Sequence, residues 1–293
     1  MATIEAVRTA PAVSGGGAAW KRLAPWLLIL PGLATTTLFL VVPLGYLTIL
    51  SFTSGSTFFQ RPVFTTGNFQ TIFGEQLYLI YTTIFQAVGS TLIDLIFGFP
   101  FAYILVRKVH YRDLVRALMA FPLFGTLYLS FGLSFIFLPD TAFGKVLVAL
   151  GFNPVNFLYS TPTVLFALAI GSFPFMVVNV ATALQNIEVA LEEASAVLGA
   201  NAWQTLTRVL FPLTRSGMLA GSLLCFGWNM GVYIVPILLG TTDDQRVLAV
   251  SMYIRATKQN DYGMAAAQGI VLMVLASMVT YVSLRYSRGA LAD

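Results

Sequence analysis

The sequence predicts an all-α polytopic membrane protein with six transmembrane helices and both termini in the cytoplasm. Three observations lead there. The 293-residue chain is 57% hydrophobic and only 10% charged, whereas soluble domains carry about 25% charged residues. Six stretches are long and apolar enough to cross a bilayer core of about 30 Å, which takes roughly 20 helical residues. Lysine and arginine gather at the ends of those stretches, unevenly between the two sides. A soluble core of this size would need a charged surface that this composition does not supply.

The spans are expected at 23–52, 77–106, 114–138, 162–184, 218–239 and 263–284. Lipid gives the backbone no hydrogen-bond partners, so each must be helical. No ten-residue alternation marks a barrel. With the N-terminus inside, eleven of the sixteen basic residues fall inside, among them the short-loop cluster Arg107, Lys108, Arg112 and Arg116. The outside set is Arg61, Lys145, Arg246, Arg255 and Lys258. Residues 1–22 read as a disordered cytosolic tail, most flexible at Gly15-Gly16-Gly17, without a cleavable signal peptide. Residues 23–287 form the transmembrane domain and 288–293 a cytosolic tail.

Composition also narrows the chemistry. A single cysteine, Cys225, lies in an apolar run, and a single histidine, His110, lies in a basic loop. That argues against a disulfide, a zinc site or a catalytic triad. The net charge of +4 is small and dispersed, an orientation signal and not a nucleic-acid footprint. Cys225 reads as a small packing residue. The first span contains Pro25, Pro31 and Pro43 and is expected to kink or open locally. The outer stretch 139–161 holds an apolar run, 143–152, too short to span, followed by Asn153-Pro154. It reads as a helix lying at the outer surface.

The longest inner connection, 185–212, is patterned. Asn186 can cap a helix running through Leu198, with Glu188, Glu192 and Glu193 making it acidic. Gly199 can take the left-handed conformation that ends it. Asn201 can cap a second short helix, with Gln204 three residues on to complete the box. Trp203, Leu206, Val209 and Leu210 are expected on one face of it, and Pro212 to stop it. Such an elbow can dock a soluble partner or simply pack beneath the bundle; pattern alone leaves both open.

Here the chain resembles the binding-protein-dependent permeases of ABC importers, of the type I, MetI-like fold. Their cytosolic signature runs Glu-Ala-Ala, three residues, Gly, nine residues, Ile-x-Leu-Pro. This chain reads Glu193-Ala194-Ser195, three residues, Gly199, nine residues, Val209-Leu210-Phe211-Pro212. Ser195, Val209 and Phe211 depart from it. Gly98-Phe99-Pro100-Phe101-Ala102-Tyr103, ahead of Arg107, is similar to the ending of the family's second span. The run 226–240, FGWNMGVYIVPILLG, is similar to span five of the spermidine/putrescine branch. That branch also includes permeases for ferric iron, opines and aminoethylphosphonate.

The resemblance implies that 23–287 is a permease domain and that 185–212 is its coupling-helix loop. Glu192, Glu193, Ala194, Ser195, Gly199 and Pro212 would couple it to ATPase subunits. It implies two ATP-binding subunits, a second and different permease subunit, and an extracytoplasmic solute-binding protein. No cofactor is expected on this chain; ATP and magnesium belong to the partner subunits. No Walker A motif is present, so no ATPase activity is expected. The solute expected is a polyamine or related organic cation.

Asp94 is the acidic residue expected within a span, where a charge costs at least about 2.5–3.5 kcal/mol. It either contacts a cationic solute in passing or bonds a Ser or Thr of a neighbouring helix. Asn229 and Tyr233 are four apart and expected on one helix face. With Trp228 they could line a cation path through cation–π contact, although aromatic residues in spans more often pack. Pro236 is expected to bend span five near its outer end. Asp243 and Asp244 could greet a cation or the binding protein, or belong to a plain solvated loop. An ion-coupled transporter would need ion ligands at mid-membrane and repeated broken helices, and an enzyme a catalytic cluster; neither pattern is visible.

Overall fold

The computed structural model describes residues 26, 29–54, 63–109, 125–240 and 246–289. His110, Arg112, Arg116, Asp243, Asp244, Pro25 and the two tails as far as 25 and from 290 lie outside the described residues, as does 114–124 of the expected third span. Contacts divide the chain into two units, Met1–Ile49 and Leu50–Asp293.

The first unit contributes most of helix α1, Ile29–Ser51. Its residues from 29 to 49 are almost all exposed, as expected of a helix whose solvent is lipid. The turn Thr37–Val41 is a π-helix, in which the Val42 N–H bonds Thr37 O. Pro43 follows two residues later. A proline cannot donate to the carbonyl four residues back and its ring crowds it; the wider turn takes up the missing bond. The local opening expected of this span is therefore present.

In the second unit a two-residue hairpin, β1 (Thr53–Ser54) with β2 (Val63–Phe64), precedes α2 (Gly67–Gly74) and the long α3 (Leu77–Arg107). α4 (Thr126–Ile136) is the described part of the third apolar stretch. α5 (Ala142–Ala149) and α6 (Pro154–Leu158) fill the connection to α7 (Thr161–Gln185). Thr141 caps α5 by accepting from the Gly144 N–H at 3.0 Å, and Asn153 caps α6 through the Val155 N–H at 3.0 Å. The short helix expected over 143–152 thus ends at Ala149, where the chain turns through Gly151 at φ +86°.

α8 (Val189–Val197) and α9 (Ala202–Leu213) make the patterned connection. α10 (Arg215–Gly231) and α11 (Ile234–Leu239) follow, then α12 (Leu248–Thr257) and α13 (Tyr262–Gly289). Helix α12 is absent from the sequence reading; its buried residues Leu248, Ala249, Val250 and Ser251 are consecutive and show no period. α1, α3, α7 and α13 are each long and apolar enough to cross a membrane, and α9 with α10 would make a fifth such segment across a 73° bend.

α3, α7 and α10 form the centre. Phe99, Ala102, Leu105 and Val106 of α3 pack with Met176, Val180 and Leu184 of α7 and with Met218 and Cys225 of α10. Close approach depends on glycine, the small-residue strategy of membrane helix pairs. A Cβ on Gly217 would stand 2.5 Å from Ala183 Cβ, and one on Gly221 2.9 Å from Met176 Sδ. From the other side, a Cβ on Gly98 would meet Met176 Cγ at 2.7 Å. Met176 is thus wedged between two glycines on different helices.

The expected fifth span, continuous over 218–239, is broken. α10 ends at Gly231, Val232 is extended at ψ 119°, and α11 starts at Ile234. Pro236 causes this four residues upstream of itself, because its ring displaces the Val232 carbonyl from the helical ladder. The bend expected from Pro236 therefore falls at Val232, seven residues before the end of the expected span.

Candidate functional site

Two clusters of polar side chains among the described residues contain residues that the sequence singles out. The first is the elbow of α8 and α9. α7 ends at Gln185, and Asn186 extends its last turn by bonding Ala183 O at 3.3 Å. Asn186 is therefore not the cap of the next helix; Glu188 holds that position, with extended backbone. α8 stops before Gly199, whose φ is +84°. A Cβ there would meet nothing within 4 Å, so the glycine is demanded by backbone conformation, where an L-residue costs roughly 1–2 kcal/mol. Asn201 and Gln204 form the reciprocal capping box: Gln204 N–H to Asn201 Oδ1 at 2.8 Å and Asn201 N–H to Gln204 Oε1 at 2.9 Å.

The expected face of α9 is rotated. Trp203 is 69% exposed, whereas Thr205 and Leu210 are buried. Those two are five apart because Leu206–Leu210 is a π-turn, which shifts the face by one residue. As in α1, the π-turn lies two residues ahead of a proline. Pro212 is absorbed into the helix, which breaks instead at Thr214.

The residues expected to couple separate by direction. Glu193, Ala194 and Gly199 are exposed, and Val197 and Leu198 beside them are each 87% exposed. Pro212 is half-buried. Glu192 and Ser195 face inward. The Ser195 and Thr205 hydroxyls lie 2.7 Å apart and join the two helices of the elbow; a serine in place of the family's alanine makes this bond possible. Glu192 meets Arg107, the last residue of α3, at 2.7 Å. The Tyr103 hydroxyl donates to the other Glu192 oxygen at 3.4 Å, and Arg107 Nη2 also donates to Ile187 O at 2.9 Å and Leu184 O at 3.3 Å.

The second cluster joins the three central spans. Ser172 of α7 donates to Asp94 Oδ2 of α3 at 2.5 Å, and Asn229 of α10 donates to Ser172 Oγ at 3.0 Å. Cys225, one turn before Asn229, directs its thiol to Ser172 O at 3.4 Å. Asp94 and Ser172 are 0% exposed and Asn229 is 5% exposed. Asp94 Oδ1 and Asn229 Oδ1 are buried with no hydrogen-bond partner among the described residues. Of the two roles open to Asp94, this placement matches the interhelical bond. Ser172 is the hub that sequence reading missed; one serine among apolar residues in a span carries no local signal.

Trp228 and Tyr233 do not join that cluster. Trp228 packs on Phe175 of α7, ring centroids 5.3 Å apart. Tyr233 lies in the break between α10 and α11 and stacks on Tyr253 of α12 at 4.8 Å. Asn229 and Tyr233 therefore do not share a helix face, because the helix ends between them. Cys225 is buried.

A bundle of long apolar helices with an ordered elbow between two of them defines a polytopic membrane permease. Residues 106–291 match the family described as "Binding-protein-dependent transport system inner membrane component", and the chain belongs to that family. It is the multi-pass inner-membrane permease subunit of an ABC importer. Over 257 residues it is 30% identical to the spermidine/putrescine transport system permease protein PotB of Haemophilus influenzae, covering 83% of this chain and 88% of that protein. PotB of Escherichia coli is 29% identical over 238 residues, 78% of this chain and 85% of the relative. In fold the chain resembles a chain of a bacterial ABC transporter involved in importing the acidic polysaccharide alginate, with a TM-score of 0.71, 23% identity, and coverage of 92% and 98%.

Proposed function

We propose that this permease carries a polyamine or a related small organic cation inward, driven by ATP hydrolysis on partner subunits. The observation that carries the solute class is the similarity to PotB proteins over about four-fifths of the chain. Ferric iron, opines and aminoethylphosphonate are the competing solutes.

Membership of the family supports a reading of the assembly. Six spans leave both termini in the cytoplasm, α4 completing the third and α10 with α11 forming the fifth across the Val232 break. The elbow, 185–212, is the coupling-helix loop, flanked by a permease domain at 23–287 and by short tails. Glu193, Ala194 and Gly199 lie on its exposed side, next to the solvent-facing Val197 and Leu198. That apolar edge fits a cleft on an ATPase subunit, and exposed apolar patches of this kind mark interaction sites. Two ATPase subunits bearing ATP and magnesium, a second, different permease and an external binding protein complete the machine. Closure of the ATPase pair and docking of loaded binding protein must favour each other by the same free energy. The Asp94–Ser172–Asn229 contact ties the three central spans in the state described.

Uptake of radiolabelled spermidine and putrescine in cells with and without the intact gene tests the solute. Loss of polyamine uptake on deletion, with no competition by ferric iron, an opine or aminoethylphosphonate, is expected. Polyamine uptake that survives deletion, with loss of one of the other three, would overturn the solute class and leave the permease assignment standing.

A further inference from the structure

We infer that Arg107 is a positioning residue that transmits movement of the elbow to the second span. The inference rests on reading the elbow as the ATPase-docking element. In α8 the buried residue is Ser195, which bonds Thr205 of α9. The other inward side chain, Glu192, is where α8 meets α3, through Arg107 Nε at 2.7 Å and the Tyr103 hydroxyl at 3.4 Å. The Arg107 and Glu192 side chains are 16% and 15% exposed. This pair is therefore shielded from much of the screening that makes surface ion pairs weak.

Arg107 does more than pair. Its planar fork places Nε on Glu192 and Nη2 on the Ile187 and Leu184 carbonyls, at the end of α7. One guanidinium thus holds three elements together: the tip of α3, the end of α7 and the start of the docking helix. A lysine cannot span such a set, since its ammonium is a single point of charge. From Arg107, α3 runs as one helix back through Pro100 to Asp94, thirteen residues or roughly 20 Å along the axis at 1.5 Å per residue. Asp94 is bonded to Ser172 and through it to Asn229. Displacement of α8 therefore reaches the three-span contact along one uninterrupted helix. The sequence showed Arg107 as one charge in an orientation cluster; its partner lies 85 residues away.

The test uses the whole complex in proteoliposomes, with its ATPase, second permease and binding protein. Arg107→Gln and Arg107→Lys are compared with Arg107→Glu/Glu192→Arg, which reverses the pair. Assembly, ATPase activity without binding protein, and its stimulation by spermidine- or putrescine-loaded binding protein are read separately. Both single variants are expected to assemble and to hydrolyse ATP, with stimulation reduced roughly tenfold, inside the usual range of coupling energies. The reversed pair is expected to recover part of it. Full stimulation in either assembled single variant would overturn the role. So would failure of both to assemble, which would make Arg107 a folding residue. Leu198→Asp is the control for the elbow itself. If it leaves the ATPase bound, the docking reading fails; if it releases the ATPase while Arg107→Gln is fully stimulated, only the strut fails.

Discussion

Leu198→Asp is expected to strip the ATPase subunit from the permease while leaving the membrane bundle folded. Leu198 is 87% exposed, so it has little packing within its own chain to lose. Replacing a leucine buried on docking forfeits about 1.5–3 kcal/mol of apolar burial, which is roughly 10- to 150-fold in Kd. A carboxylate in its place adds the cost of burying an unpaired charge. Co-purification of the ATPase on the tagged permease, with size-exclusion of the permease alone as the folding check, reads both halves of the expectation. Undiminished co-purification would mean that the apolar edge beside Gly199 faces something other than the ATPase.

Ser172→Ala is expected to weaken the bundle through two residues it does not replace. Asp94 Oδ2 loses its donor and the Asn229 amide its acceptor, both in a buried site where Asp94 Oδ1 is already without a partner among the described residues. Interhelical hydrogen bonds in membranes average about 0.6 kcal/mol and reach about 1.7. A 2.5 Å contact to a carboxyl oxygen belongs at the upper end of that range. The signature is non-additivity: Ser172→Ala, Asp94→Leu and the double variant should show an interaction energy of about 1–2 kcal/mol by thermal unfolding in detergent. Additivity within about 0.5 kcal/mol would show that the two side chains are neighbours without being coupled.

What the sequence disclosed was the part governed by local rules. Four of the six expected stretches coincide with α1, α3, α7 and α13 to within a few residues at most described ends, because lipid fixes the length and composition of a span. The glycine at 199 and the Asn201–Gln204 box were legible because each answers to chemistry within four residues. What escaped were contacts set by packing. Ser172 joins Asp94 and Asn229 across 78 and 57 positions, and nothing near it in sequence points to either. Proline was visible at 43, 212 and 236, and an opening at the first and a bend at the last were expected, but the form each takes was not: a π-turn just upstream in two cases, a break at Val232 in the third. The π-turn in α9 also turned Trp203 out to solvent, against the face a regular helix would give. Ser195 sat within the recognised signature and Glu192 just ahead of it, yet their inward direction depends on Thr205 and Arg107.

The measurement that bears most directly on this permease is ATP hydrolysis by the complex reconstituted with the products of its neighbouring genes, with and without loaded binding protein. An ATPase that co-assembles and is stimulated when spermidine- or putrescine-loaded binding protein is added is the result expected of a polyamine importer. If no ATPase associates with the chain and no binding protein alters hydrolysis, the coupling role of the elbow and the ATP-driven mechanism are both contradicted.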